Sequence, residues 1–210
     1  MNLTQPFELV TPTLDGGVLA VLARADARFT PGQVQKLMGR GALVGIRKVL
    51  DRMAAQGIVQ AERTPNAVLY SLNWEHVGAK WVIGLATLRD QILDRLSGAL
   101  EEFPIRPTYA ALFGSAARGE MRSESDLDLF IVRPRRVDSE NQRWQRSLVD
   151  LSLAATRWTG NDLRVLEYGE AELSRRARSS EPVLAAVLEE GIPLVGDPAW
   201  LRERVKRRST

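Results

Sequence analysis

The chain has 210 residues, of which 44% are hydrophobic and 26% are charged, and its formal net charge at pH 7 is +3. This composition is typical of a folded chain with one large domain or two small ones. The lack of cysteine excludes disulfides, thiolate zinc sites and thiol nucleophiles, and the single histidine, His76, leaves little room for a Ser-His-Asp triad. Any chemistry must therefore rest on carboxylates, hydroxyls, arginines and hard cations.

The distribution of apolar and basic residues gives expectations about cellular location and binding partners. The longest apolar stretches, such as residues 81–88, are far too short to span a bilayer, and no basic region with an apolar core opens the chain. We therefore expect a cytoplasmic protein with no membrane partner. Five basic residues against one acidic residue between Trp200 and Thr210 predict a solvated basic tail over residues 199–210, which could also contact a polyanion.

The first part of the chain has the pattern of three helices and a hairpin. Apolar spacing predicts a helix over residues 14–22, and Thr30-Pro31 predicts the start of a second, short helix. Strand patterns at residues 58–63 and 67–72 flank a turn and predict the hairpin. Between them, a third helix is predicted from an apolar stripe made of Leu43, Ile46, Leu50 and Met53.

This order of elements resembles a winged helix-turn-helix domain, to which we assign residues 1–75. In that family the third helix enters the major groove of DNA and the hairpin forms the wing. The resemblance implies DNA contacts from Arg47, Lys48 and Arg52 on the helix and from Arg63 in the wing. The same pattern is also compatible with a dimerisation or docking module.

A helical pattern from Trp74 to Phe103 follows, with apolar residues along one side and Pro104 after it. We assign residues 76–104 to a linker helix between two domains. The same apolar side could instead form the seam of a homodimer.

The second half contains two strand patterns joined by a turn with small and acidic residues. Tyr109–Phe113 and Leu127–Val132 are the predicted strands, and Gly114-Ser115 closes the first and opens a short helix. Backbone N–H groups at such a turn favour a phosphate. Asp126 and Asp128 alternate along the second strand and so point to one face, where two like charges repel unless a cation lies between them. A phosphate cradle facing a carboxylate pair is typical of metal-assisted phosphoryl chemistry.

Helices and strands alternate through the rest of the chain. The pattern predicts a helix over residues 139–158, a strand over 163–168, a helix over 171–190 that Pro182 divides, and a strand over 192–195. We assign residues 105–198 to the second domain.

Gly114-Ser115, ten intervening residues and then Asp126-Leu127-Asp128 resemble the signature of minimal nucleotidyltransferases in the DNA polymerase β superfamily, with Arg118-Gly119 and Ser125 fitting its usual form. The motif covers about residues 108–133. The resemblance implies an α+β chain of two domains, with a polymerase-β-like nucleotidyltransferase domain, a mixed sheet flanked by helices, after the winged helix.

The same resemblance implies the roles of the motif residues. Gly114 and Ser115 would bind the β- and γ-phosphates of an NTP substrate, and Arg118 would support the phosphates or brace the loop. Ser125 would belong to the same nucleotide-binding group. Asp126 and Asp128 would hold two Mg²⁺ ions, one activating an acceptor hydroxyl and the other neutralising the departing pyrophosphate.

The third strand departs from the family pattern, which places a third carboxylate between apolar neighbours. Arg164 stands at that point, between Leu163 and Val165. Asp162 shares a face with Arg164 and would become the third catalytic carboxylate through a register shift or bulge, whereas Glu167 faces the other way.

The leading hypothesis is an Mg²⁺-dependent nucleotidyltransferase that moves a nucleoside monophosphate from an NTP to a hydroxyl of a protein, RNA or small molecule. One alternative is a DNA-binding transcriptional regulator whose transferase domain is a nucleotide sensor or an inactive relic. Another is the antitoxin of a toxin–antitoxin pair, with a toxin as its protein partner.

Overall fold

A computed structural model describes residues 1–176 and 181–206 and divides the chain into two compact units. The N-terminal unit is Gln5–Arg89, and the C-terminal unit consists of Met1–Thr4 together with the chain from Asp90 onwards. Across the described ranges, no helix has both the length and the apolar character needed to cross a membrane.

The N-terminal unit contains helices followed by a two-stranded hairpin. After a 3₁₀ turn at Pro6–Leu9, its elements are α1 (Leu14–Leu22), α2 (Pro31–Met38), α3 (Leu43–Ala55), β1 (Val59–Arg63), β2 (Val68–Leu72) and α4 (Ala79–Ala86). A capping box begins α2, since Thr30 Oγ1 accepts from Gln33 N (3.2 Å) and Gln33 Oε1 accepts from Thr30 N (2.8 Å). The strands are antiparallel, pairing from Val59 with Leu72 to Arg63 with Val68.

Three of the four residues in the predicted stripe of α3 form the core of this unit. Ile46, Leu50 and Met53 are buried against α1, α2 and the hairpin. Leu43, the first residue of α3, is 46% exposed instead and lines a surface cleft. The hairpin is tied to the same helix, since the buried Tyr70 donates its hydroxyl hydrogen to Asp51 Oδ1 at 2.6 Å.

The single helix predicted from Trp74 to Phe103 is two helices, α4 and α5 (Leu88–Glu101). The break is at Thr87, where the backbone leaves the helical region (φ −99°, ψ 10°) and ends α4. The boundary between the two units falls just after this break, between Arg89 and Asp90.

A four-stranded mixed sheet forms the centre of the C-terminal unit. The elements after α5 are β3 (Tyr109–Phe113), α6 (Ser115–Arg118), β4 (Leu127–Arg133), α7 (Gln142–Thr159), β5 (Leu163–Gly169), α8 (Glu170–Arg176), α9 (Pro182–Glu190), β6 (Ile192–Val195) and α10 (Pro198–Lys206). The strand order is β5-β4-β3-β6. Strand β3 is antiparallel to β4 and β6, and β4 is parallel to β5. A mixed sheet flanked by helices is therefore confirmed.

The sheet is buried on both faces, because its strands alternate apolar residues between two cores. Leu127, Leu129 and Ile131 of β4 pack in the core that contains residues of α5 and α7. Phe130 and Val132 face the other core, together with residues of α8, α9 and α10. Asp126 and Asp128 have the parity of this second face, at the end of β4 where the apolar pattern stops.

One expectation for the C-terminal part agrees with the structure, and a second needs correction. The helix predicted over residues 171–190 is described as α8 and α9, with Pro182 at the start of α9 and residues 177–180 outside the described ranges. Residues 198–206 are helical instead of an irregular basic tail, because Leu201 is buried and Trp200 stacks on Tyr109 with 6.5 Å between ring centroids. The rest of the predicted tail, residues 207–210, lies outside the described ranges.

Candidate active site

Gly114 connects β3 to α6 and lies against the carboxylate of Asp128. Its φ of +71° is in the region that L side chains rarely adopt, and a Cβ atom there would come within 2.5 Å of Asp128 Oδ2. The antiparallel register explains this approach, since Phe113 pairs with Asp128 across β3 and β4. The turn therefore brings bare backbone next to an acidic group.

The short helix α6 is held in place by Arg118, the residue that ends it. Arg118 is exposed and forms ion pairs with Glu120 (Nε to Oε2, 2.8 Å) and with Glu190 at the end of α9 (Nη1 to Oε1, 2.6 Å). The hydrogen bond to Glu120 is the largest cause of the raised pKa of Arg118, and the charge of Glu190 contributes to it. Of the two predicted roles, these contacts favour bracing of the loop.

A turn that Ser125 and Asn161 stabilise precedes the first aspartate. The hydroxyl of Ser125 accepts from Arg122 N at 2.9 Å. The side-chain amide of Asn161, a residue only 3% exposed, donates to the carbonyls of Ser123 (2.9 Å) and Ser125 (2.8 Å). The predicted ligand residue Ser125 thus has a structural contact, and Asn161 is a positioning residue for the loop before Asp126.

Sequence reasoning missed Asn161. In the sequence, Asn161 lies between Gly160, which ends α7, and the start of β5. An asparagine at such a place is typical of an ordinary loop. What distinguishes it is burial, which depends on how the loop folds over it.

Asp126 and Asp128 lie side by side on one face at the start of β4. Burial raises the pKa of Asp128, and the negative charge of Asp126 adds to this effect. The positive charges of Arg164 and Arg118 oppose this effect, but the pKa of Asp128 remains raised. The two carboxylates are therefore close enough to repel each other, and cations relieve this repulsion.

Arg164 faces this pair from β5. The parallel register places it next to Asp128, and its Nη2 lies 2.6 Å from Asp126 Oδ2. The Arg164 side chain is 74% exposed, whereas that of Asp126 is 25% exposed. The structure thus places an arginine at the third-strand position where the family pattern has an acid.

Asp162 lies one residue before β5, on the same side as Arg164, and its side chain is exposed. The expected shift of register is absent between β4 and β5, whose pairing is regular from Leu127 with Leu163 to Arg133 with Gly169. The backbone carbonyl of Asp162 accepts from Leu127 N at 2.8 Å, in line with that regular pairing.

The acidic residues fit a hard cation in part. Asp126 and Asp128 offer the carboxylate oxygens that Mg²⁺ prefers. In the described part of the chain, however, no group of three or more histidine, aspartate or glutamate residues is placed to hold a metal ion. The pair fits one cation better than the two that the family resemblance implies.

Two of the four predicted DNA-contacting residues in the N-terminal unit line one cleft. Arg47 of α3 and Arg63 of the hairpin border it, together with Pro31 at the start of α2. Lys48 is exposed on α3, and Arg52 forms an ion pair with Asp15 of α1. The structure therefore brings Arg47 and Arg63 together and uses Arg52 within the unit.

Comparison with known proteins identifies part of the C-terminal unit. Residues 93–174 match the sequence model of the family described as "Nucleotidyltransferase domain". This segment contains α6, both aspartates and Arg164, so the chain carries a nucleotidyltransferase domain there. None of the curated proteins matches the chain in sequence.

Three solved structures show similarity to about half of the chain. A toxin–antitoxin with AMP-PNP is 16% identical (TM-score 0.40), and a mutant of the toxin–antitoxin MntA–HpeT is 14% identical (TM-score 0.39); both matches cover 55% of this chain and 82% of the other. A protein from Sulfolobus solfataricus described as a nucleotidyltransferase is 18% identical (TM-score 0.28), covering 50% of this chain and 81% of the other.

Proposed function

We propose that the protein is an Mg²⁺-dependent nucleotidyltransferase that moves a nucleoside monophosphate from an NTP to a hydroxyl of a protein, RNA or small molecule. The observation that carries the proposal is the pair Asp126 and Asp128, which lie on one face of β4 beside the bare backbone of Gly114. This arrangement lies within the segment that matches the nucleotidyltransferase family.

The turn after β3 supports a phosphate-binding role for Gly114 and Ser115. Because Gly114 has no side chain, phosphate oxygens can approach the backbone next to Asp128, where any other residue would place a Cβ atom. The Ser115 side chain is half-buried at the same turn, and its hydroxyl can donate to a phosphate oxygen. The ion pairs of Arg118 hold this turn in place.

Asp126 and Asp128 are the residues that would hold Mg²⁺ through their carboxylate oxygens. When bound, the ion polarises the phosphoryl oxygens and offsets the negative charge that develops on the departing pyrophosphate. Asp162 is exposed on the same side, but the regular pairing of β4 and β5 lacks the shift that would bring it to the pair. Ser125 and Asn161 fix the loop that precedes Asp126.

The experiment is transfer of label from NTPs in the presence of Mg²⁺ and cell lysate. We expect the wild-type protein to transfer label from α-³²P-labelled NTPs and the Asp126→Asn/Asp128→Asn variant to lose at least about a hundredfold of this activity, since both metal ligands lose their charge. The matched control is Asp94→Asn/Asp150→Asn, which removes two exposed carboxylates from helices of the same unit. Equal transfer by all three proteins would refute the proposal.

A second proposal concerns the N-terminal unit, which we infer to be a winged helix-turn-helix module that contacts nucleic acid. The supporting observation is the shared cleft of Arg47 and Arg63 between α2, α3 and the hairpin. Lys48, exposed on the same helix as Arg47, adds a third positive charge. Phosphate contacts of this kind contribute sequence-independent, salt-dependent affinity.

Retention on immobilised duplex DNA at several salt concentrations tests this second proposal. We expect Arg47→Ala/Arg63→Ala to weaken retention and to reduce the salt dependence by about two phosphate contacts. Arg24→Ala/Arg40→Ala removes the same charge from two exposed residues outside this cleft and serves as the control. Unchanged retention and salt dependence in Arg47→Ala/Arg63→Ala would contradict the assignment.

A further inference from the structure

The feature that the proposed function leaves unexplained is Arg164. Its guanidinium lies 2.6 Å from Asp126 Oδ2, on the face of the sheet where the proposed metal ligands stand. It also lies beside the second ligand, since Arg164 pairs with Asp128 across β4 and β5. A cation is thus already present at the carboxylate pair.

The position of Arg164 is set by backbone pairing and not by the ion pair alone. Leu127 pairs with Leu163 and Leu129 with Val165, and both Leu127 and Leu163 are buried. A slip of one residue would turn these apolar side chains out of the core, so the register is strongly specified. The backbone of Arg164 therefore lies beside the backbone of Asp128, and the Arg164 side chain extends from there with 74% of its surface exposed.

Charge and geometry limit how many divalent ions this group can take. Two aspartates and one arginine carry a net single negative charge, so one divalent cation already makes the group positive. Two metal ions about 4 Å apart need more carboxylate oxygens than a single ion does. Arg164 holds one of these oxygens, and the described residues contain no third acidic group placed to join the pair.

We propose that Arg164 takes the place of a second metal ion, so that the site binds one divalent cation and uses the guanidinium as its other positive charge. The planar guanidinium can contact Asp126 and a phosphate oxygen at once, because it presents five N–H donors in a fixed arrangement. A triphosphate then meets one metal ion and one arginine. This inference rests on the proposed function, since it assumes that Asp126 and Asp128 hold a metal ion.

The number of bound ions can be measured by electron paramagnetic resonance of the full-length protein with Mn²⁺ and inorganic triphosphate. These probes require neither the correct base nor the acceptor. Two Mn²⁺ ions about 4 Å apart give a spin-coupled spectrum, whereas a single ion gives an uncoupled one. We expect an uncoupled, protein-bound signal from the wild type and its loss in Asp126→Asn/Asp128→Asn.

Variants of Arg164 provide the decisive comparison. We expect Arg164→Asp to give the spin-coupled spectrum, because it adds a carboxylate and removes the resident cation. Arg164→Gln removes the charge without adding a carboxylate, and Mn²⁺ alone should then bind about fivefold more tightly. Arg164→Lys is the matched control, which keeps the charge and should leave the uncoupled spectrum unchanged.

Several results would overturn the inference. These are a spin-coupled pair in the wild type, no Mn²⁺ bound at the aspartates, an uncoupled spectrum in Arg164→Asp, or an Mn²⁺ affinity that Arg164→Gln leaves unchanged. If the metal results are as expected but no label is transferred from any NTP, the proposed function fails and the single-cation site remains. The two ideas can therefore fail separately.

Discussion

Gly114 meets two constraints at the scale of a single residue. Its backbone has φ of +71°, and the carboxylate of Asp128 occupies the space that a side chain would need. Gly119, five residues later, has nearly the same φ of +73°, but nothing lies within 4 Å of the position that a Cβ atom would take there. A side chain at Gly119 would therefore strain only the backbone, whereas a side chain at Gly114 would also clash with the Asp128 carboxylate.

Replacement of each glycine by alanine is expected to give different results. Gly119→Ala should cost only the backbone term, about 1 kcal/mol of unfolding free energy, and leave Mn²⁺ binding intact. Gly114→Ala adds a clash with Asp128 and should also reduce Mn²⁺ affinity by at least about tenfold, because the carboxylate must move. Urea unfolding and Mn²⁺ titration measure the two effects, and similar Mn²⁺ affinity in both variants would contradict this role of Gly114.

At the scale of elements, most of the sheet and the aspartate pair could be predicted from sequence. The alternation of apolar residues in β4 and the Gly114-Ser115 turn are local patterns, and both are where the sequence predicts them. The position of Arg164 followed from the same alternation in β5. Its contact with Asp126 could not be predicted, because it depends on pairing between strands that are far apart in the chain.

Other elements were missed because apolar periodicity and charge counts do not show where the backbone turns or which side chains pack. Apolar periodicity continues past Thr87, so the sequence predicts one helix, whereas the backbone leaves the helical region at Thr87 and separates α4 from α5. The basic composition after Trp200 indicates a tail, whereas the burial of Leu201 and the ion pair of Arg204 with Glu170 (3.0 Å) belong to a packed helix. Charge counts describe the surface of such a helix and not its buried side.

Each unit contains a buried tyrosine whose hydroxyl donates to an acid on a neighbouring element. Burial and the hydrogen bond to Asp51 raise the pKa of Tyr70 to about 12. In the C-terminal unit, burial and the hydrogen bond to Glu181 (2.6 Å) raise the pKa of Tyr168 to about 12. The folded state therefore binds these protons more tightly than the unfolded chain, where tyrosine ionises near pH 10.

This difference predicts a loss of stability in alkali. Because the folded pKa is the higher one, the stabilisation is fully present below about pH 10 and is lost as pH rises towards 12. Urea unfolding across this range should show a steeper decline for the wild type than for Tyr70→Phe/Tyr168→Phe. Phenylalanine keeps the buried ring and removes only the ionisable hydroxyl, so parallel declines in the two proteins would contradict the predicted coupling.

At the scale of the whole molecule, the two units have different proposed tasks. The N-terminal unit has a cleft with Arg47 and Arg63, and the C-terminal unit has the carboxylate pair of a nucleotidyltransferase domain. The central claim is that the C-terminal unit binds a metal ion and a triphosphate at Asp126 and Asp128. Transfer to a hydroxyl acceptor depends on that binding. The departure at Arg164 makes this claim specific to the present chain.

The most direct test of that claim is a crystal structure of the protein with Mg²⁺ and a non-hydrolysable NTP. We expect one Mg²⁺ ion between Asp126 and Asp128, the phosphates at the Gly114-Ser115 turn, and the Arg164 guanidinium within hydrogen-bond distance of a phosphate oxygen. A nucleotide bound elsewhere, or phosphates at this turn with no metal ion on either aspartate, would contradict the claim.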